Sequence, residues 1–299
     1  MAKLKDISTN DLILELKNRY QENQKDQQQI RELTAALKEV NLKLAESESL
    51  KSHFISNISN ELVNPFTSVL AISENILGVE KENWKKVIHM VSLIHTEVFN
   101  LDFQLKNIFA AAKLEAGEIK PNITLINIDQ LIQNIIDSFK YEARRKHLTI
   151  KYISENTPQG VGIFFKSDAE KVHLILSNLI SNAVKFSYTE GTIIIKATKS
   201  ESKLILEVTD EGQGISKANE QIIFDRFKRI DNGINSLNRG HGLGLSIIKA
   251  IIDMLEGKIE FNSTIGKGTT FRVYFYESDQ EASGISTDAD EIFFKEEQF

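Results

Sequence analysis

The sequence contains no cysteine among its 299 residues. That absence excludes a disulfide scaffold, thiolate metal sites and a cysteine nucleophile, and it fits a reducing compartment. Proline is nearly absent too, with only Pro65, Pro121 and Pro158. No stretch approaches 18 consecutive apolar residues, so no membrane span is expected. The first residues lack the apolar core and small-residue cleavage site of a signal peptide. A cytoplasmic location is the expectation that follows. There is no basic excess either: the net charge is −6, and no nucleic-acid partner is expected. Hydrophobic residues at 41% and charged residues at 26% are the balance of a soluble globular chain.

Glycine is scarce in one half only. The first 120 residues hold Gly78 and Gly117, and the other 13 glycines follow Pro121. So few breakers over such a length predict a mostly helical segment. The change near residue 120 predicts a domain boundary. The acidic balance is also local. Residues 277–299 hold eight acids and one base, Lys295, for a tail of −7 and a body of +1. This tail reads as disordered, either a solubilising end or a docking peptide built on Phe293 and Phe294.

Ile30, Leu33, Leu37, Val40 and Leu44 are spaced 3-4-3-4, a heptad seam that pairs with another helix. A plain coiled-coil spacer would explain this seam alone. Pro65 predicts that the first long helix bends or pauses near residues 61–65. A second helix is expected from about Glu82, through Val87, Val91, Ile94, Val98, Leu101, Leu105, Ile108 and Ala112. Gly117 and Pro121 end it. Two antiparallel helices cannot bury both faces alone, so a dimeric four-helix bundle is the expected solution.

After Pro121 the pattern becomes mixed. A short apolar run at 125–128 precedes a helix over about 129–146 and a strand at 148–153. Asp168 opens a further helix through Val184. Strands follow at 192–198 and 204–209, then a loop rich in glycine and charge over roughly 210–242. A helix at 243–255 leads to a hairpin of strands 258–262 and 269–276. This predicts an α/β sandwich, a mixed sheet covered by helices on one face.

Four motifs fall in order in this half. In Asn178-Leu-Ile-Ser-Asn182-Ala-Val-Lys185, two amides and an ammonium stand at i, i+4 and i+7 on one helix face. An amide oxygen can ligate Mg²⁺ and a lysine can neutralise phosphate oxygens. An ordinary polar helix face is the alternative. Asp210-Glu-Gly212-Gln-Gly214 ends an apolar strand, where a carboxylate can accept from an exocyclic amine such as adenine N6. Phe224-Asp-Arg-Phe227-Lys-Arg229 offers two aromatic anchors for a lid and a guanidinium for a terminal phosphate. Gly240-His-Gly242-Leu-Gly244 runs into a helix whose free amides can cradle phosphate.

Together, in this order and spacing, the motifs resemble the ATP-binding domain of two-component histidine kinases, within the gyrase, Hsp90, histidine-kinase and MutL ATPase group. The resemblance extends upstream. Ile108-Phe-Ala-Ala-Ala-Lys-Leu-Glu-Ala-Gly117 is similar to the end of the family's second dimerisation helix. Phe54-Ile-Ser-Asn-Ile-Ser-Asn60-Glu61-Leu-Val63-Asn64-Pro65 is similar to its acceptor box. It implies an N-terminal coiled-coil helix over 1–50, a dimerisation and acceptor-like hairpin over 51–120, and an ATP-binding domain over 121–276. It also implies ATP and Mg²⁺ as cofactors. In the family's pattern Asn182 ligates Mg²⁺, Asn178 and Lys185 face the phosphates, and Asp210 reads adenine. Gly212, Gly214, Gly240, Gly242 and Gly244 shape pocket and lid. Gly266, Gly268 and Thr269 form the last box, near the base.

The acceptor box departs from the family's Ser-His-Glu-Leu-Arg-Thr-Pro. Asn60 stands where the histidine belongs, and Val63 and Asn64 replace Arg and Thr. A neutral imidazole nitrogen has a lone pair that attacks phosphorus. The amide nitrogen's lone pair is delocalised into its carbonyl, so Asn60 is no comparable nucleophile. Autophosphorylation at this position is therefore not expected. His53, about 10 Å before Asn60 along a helix, is an alternative acceptor for an ordinary autokinase. The resemblance then implies a signalling protein working in phosphorelay, as a homodimer or as a heterodimer with another histidine kinase. Three modes remain open. It phosphorylates a partner's histidine, or it dephosphorylates the receiver domain of a response regulator through Glu61 and Asn64. Otherwise it is a nucleotide-sensing scaffold without catalysis.

Overall fold

The computed structural model describes residues 9–80, 83–155, 162–225, 244–278 and 284–286. The chain divides into two compact units, residues 1–57 and 58–299.

Helix α1 (Thr9–Leu77) is continuous through Pro65. The expected pause at 61–65 does not occur. A proline's φ is already helical, and the missing N–H removes one bond of the ladder rather than several. In the first unit the heptad side chains Ile30, Leu33, Leu37, Val40 and Leu44 are 56–63% exposed, an apolar stripe facing solvent. None of the helices among the described residues is long and apolar enough to cross a membrane.

In the second unit, α2 (Trp84–Ala116) stops at Gly117, whose φ is 68° and whose amide returns to Leu114 O, as the sequence predicts. The α/β part then runs β1 (Thr124–Asn127), α3 (Ile128–Ser138), α4 (Lys140–Arg145), β2 (Thr149–Glu155), β3 (Phe164–Ser167) and α5 (Ala169–Phe186). It continues with β4 (Thr192–Ser200), β5 (Lys203–Asp210), α6 (Gly244–Met254), β6 (Lys258–Thr264), β7 (Gly268–Tyr276) and β8 (Ile285–Ser286). The single helix expected over 129–146 is two helices, broken at Phe139. The ring of Phe139 is buried edge-on against Phe99 and Phe103 of α2, with centroids 5.3 and 6.0 Å away.

The main sheet has the order β2-β4-β5-β7-β6, antiparallel except for the β2–β4 pair. Its alternation explains the covered face. Ile193, Ile195 and Ala197 on β4, Leu204, Leu206 and Val208 on β5, and Phe271, Val273 and Phe275 on β7 all point into the core. Helices α3, α5 and α6 pack there, and α2 packs against α6. The opposite face carries charged pairs such as Glu207 with Arg272 and Glu155 with Lys196.

A second, three-stranded sheet has the order β3-β1-β8. Part of the tail expected to be disordered is therefore structured. Leu125 N donates to Gly284 O as β8 lies parallel to β1, and Glu277 N donates to Ser202 O. Phe293 and Phe294 lie outside the described residues.

Candidate functional site

Helix α5 begins with a tight cap. Asp168 Oδ1 accepts from Lys171 N at 3.0 Å and Oδ2 accepts from Asn122 N at 2.8 Å. Burial pushes the Asp168 carboxyl above its ordinary range, against the pull of Lys171 and these amides. The far end of α5 is capped from outside. Lys146 Nζ donates to Val184 O at 2.9 Å and Lys185 O at 2.5 Å. Ammonium donors at a helix C-terminus satisfy carbonyls that have no intrahelical partner. Lys146 was not a sequence candidate. It lies 38 residues away, and no local pattern marks it.

The end of α5 meets the loop after β5. Ser187 bridges Gly212, Gln213 N donates to Phe186 O, and Tyr188 N donates to Glu211 O. Asn182 and Lys185, both half-buried, are thereby brought to the same end of the domain as Asp210. Lys185 also lies over the Phe186 ring at 5.4 Å.

Asp210 is the last residue of β5 and is buried. It accepts from the backbone amides of Thr269 and Gly212, yet burial outweighs them and raises its pKa to about 6. Two glycines make this corner. A Cβ on Gly212 would lie 2.3 Å from Phe186 O, and one on Gly268 would lie 1.8 Å from Asp210 O, at a φ of 111°. Only a residue without a side chain fits either position. The β6–β7 hairpin is laced to the same loop. Gly266 N donates to Gln213 O, Ile215 N donates to Ser263 Oγ, and Ser263 Oγ lies 2.9 Å from Thr269 Oγ1. Gly214 lies in this lacing. Phe224 packs edge-on against Phe261 at 6.0 Å.

Asn178 also reaches α2. It is buried, and its Nδ2 donates to Asn107 Oδ1 on α2 at 2.7 Å and to Leu174 O at 2.9 Å. Its donor therefore faces α2, and its Oδ1 faces Gly244 at the start of α6. Phe227, Arg229, Gly240 and Gly242 lie outside the described residues. The side chains of His53, Asn60 and Glu61 do also, although all three are within α1. Asn64 is exposed on α1, remote in sequence from the converging set.

A cleft of about 470 Å³ runs along the β5–β7–β6 end of the sheet, lined by Asp210, Thr269 and Ser263 and by outer-face residues such as Glu207, Thr209 and Arg272. Most of its polar lining belongs to the face away from the helices.

The donor set suits a magnesium nucleotide. Asp210 offers a buried acceptor beside a tightly packed glycine corner, Asn182 offers an amide oxygen, and Lys185 offers a cation. The described residues contain no carboxylate or histidine cluster that could hold a metal ion, so an amide oxygen together with phosphate oxygens would have to serve.

The profile of the histidine kinase-, DNA gyrase B- and HSP90-like ATPases matches residues 167–279. Curated relatives extend further upstream. The circadian input-output histidine kinase CikA of Thermosynechococcus vestitus is 29% identical over 253 residues, 83% of this chain and 34% of that protein. Hybrid signal transduction histidine kinase D of Dictyostelium discoideum is 30% identical over 77% of this chain and 15% of its own length. Sensor protein DivL of Caulobacter vibrioides is 28% identical over 84% and 31%. The chain thus spans about a third or less of these relatives. Among solved structures, histidine kinase AdeS of Acinetobacter baumannii is 20% identical with a TM-score of 0.50, covering 73% of this chain and 98% of that one. Full-length ShkA in complex with AMPPNP is 21% identical with a TM-score of 0.52, covering 75% of this chain and 46% of that one. Residues 167–279 are accordingly a histidine kinase-, DNA gyrase B- and HSP90-like ATPase domain, in a chain whose relatives include signalling histidine kinases.

Proposed function

We propose that this chain binds ATP with Mg²⁺ and works in two-component phosphorelay signalling without becoming phosphorylated at residue 60. The meeting of the α5 end, which carries Asn182 and Lys185, with the loop that follows Asp210, itself bonded to Thr269, carries this reading. In it, Asp210 accepts from the exocyclic amine of adenine, Asn182 offers its oxygen to the metal, and Lys185 neutralises phosphate oxygens. The metal supplies charge neutralisation at the phosphates. Phosphoryl transfer needs mainly positioning and charge stabilisation, which these residues provide. The side chain at position 60 provides no attacking lone pair.

The receiving atom then belongs to a partner. The chain acts as a dimer, either with itself or with another histidine kinase, and supplies the nucleotide domain in trans. The exposed heptad stripe of α1 and the relatives' identity as histidine kinases support this. Incubation of the chain with a partner kinase and γ-labelled ATP places label on the partner alone; label on neither protein contradicts it.

The exposure of Asn64 favours a second reading, dephosphorylation of a response regulator's receiver domain. Its amide, three residues after Glu61, would position a water for attack on an aspartyl phosphate. Asn64→Ala then slows the regulator's dephosphorylation, and an unchanged rate contradicts this mode.

A further inference from the structure

Helix α2 meets α5 through a buried pair of amides, Asn107 and Asn178. Asn107 and Asn178 are 5% and 4% exposed. Elsewhere along α2, Leu101 is buried, and Phe99 and Phe103 dock on Phe139 at the α3–α4 junction. The orientation of both amides is determined by backbone carbonyls, which only accept. Asn107 Nδ2 donates to Phe103 O at 2.9 Å, which leaves its Oδ1 facing Asn178. Asn178 Nδ2 donates to Leu174 O, which leaves its Oδ1 facing Gly244. A pair of apolar side chains would hold the two helices at least as well. A buried amide pair instead specifies one register and is released when either amide finds another partner.

Both N–H groups of Asn178 are already used, one on Leu174 O and one on Asn107 Oδ1, and Gly244 beside it begins the helix that follows the glycine loop. We infer that Asn107 is a latch: it holds the donor of Asn178 against α2, so that docking of α2 and binding of a nucleotide's phosphates compete for one amide. This rests on the nucleotide-binding reading above and adds its regulation. The phosphate oxygens are acceptors, as Asn107 Oδ1 is, so capture of Asn178 Nδ2 by phosphate breaks the 2.7 Å bond to α2. Linkage makes the effect reciprocal: whatever undocks α2 tightens nucleotide, and nucleotide loosens α2.

The test uses the full chain, a non-hydrolysable ATP analogue with Mg²⁺, and two readouts: the analogue's Kd and amide hydrogen exchange along α2. Asn107→Ala binds the analogue about fivefold more tightly, the equivalent of one hydrogen bond of ordinary net worth. In the unsubstituted chain, the analogue accelerates exchange over residues 96–108. Phe99→Ala, which loosens the docking without touching either amide, moves Kd in the same direction and serves if Asn107→Ala folds poorly. Equal or weaker binding by both variants, or α2 exchange indifferent to the analogue, overturns the latch and leaves nucleotide binding standing. Failure of the unsubstituted chain and both variants to bind the analogue overturns the nucleotide reading, and the latch with it.

Discussion

Asp210 carries a conflict between its two environments. In the proposed reading its carboxylate accepts from adenine, yet burial raises its pKa from 3.8 to about 6. A raised carboxyl pKa means the folded state holds a proton that the unfolded state has lost. The associated stability is fully present below about pH 4, falls as pH rises, and is gone above about pH 6. Asp210→Asn removes this cost and keeps an oxygen for the amides of Thr269 and Gly212. The nucleotide-free variant is therefore more stable than the parent at pH 8, by about 1–3 kcal/mol, as urea denaturation reports. The same substitution places an amide where adenine needs an acceptor, and weakens ATP binding at least about tenfold. Asp168 is the contrasting case, since its two oxygens serve the fold. Asp168→Ala removes the α5 cap and the Asn122 bond and destabilises by about 2 kcal/mol, read by the same denaturation. At this scale the site was partly legible. Asn182, Lys185, Asp210 and the glycines are local patterns, readable within a few residues. Asn107 and Lys146 were not, because they act on α5 across 71 and 38 residues and resemble any polar surface residue in their own segments.

Elements were legible where the pattern ran long enough to set a period. Helices α2 and α5, strands β4 and β5, and the β6–β7 hairpin follow their apolar spacing, with ends marked by Gly117, Asp168 and Gly268. Strands β3 and β8 escaped because four residues, Phe164 to Ser167, and two, Ile285 and Ser286, are too few to show alternation. The break between α3 and α4 escaped for a different reason. Phe139 continues the apolar stripe of a helix, and only the α2 aromatics, distant in sequence, explain why its ring turns inward. Conversely, Pro65 suggested a stop that α1 passes through. Lys146 tests the element scale directly. Lys146→Met leaves the last carbonyls of α5 without their ammonium donors. Exchange in the final turn of α5 rises, and the chain loses about 1–2 kcal/mol of stability; unchanged exchange at Lys185 and Phe186 contradicts the capping role.

The proposed reading of the whole molecule joins two features, a nucleotide-binding corner and an amide, Asn60, at the position where the resemblance implies an imidazole. Assembly is the first consequence. The α1 stripe is apolar, periodic and exposed, and the proposed dimer covers it with a second helix. Leu33→Glu combined with Leu37→Glu puts like charges on that seam and shifts the chain from dimer to monomer in sedimentation velocity; an unaltered dimer means association lies elsewhere. Chemistry is the second consequence. If the nucleotide half is competent and only the receiving atom is missing, restoring an imidazole restores transfer. The decisive measurement is incubation of the full chain and of Asn60→His with γ-labelled ATP and Mg²⁺, followed by an acid-stability assay of the label. The account predicts acid-labile label on Asn60→His and none on the unsubstituted chain. Stable label on the unsubstituted chain, or none on Asn60→His, would contradict it.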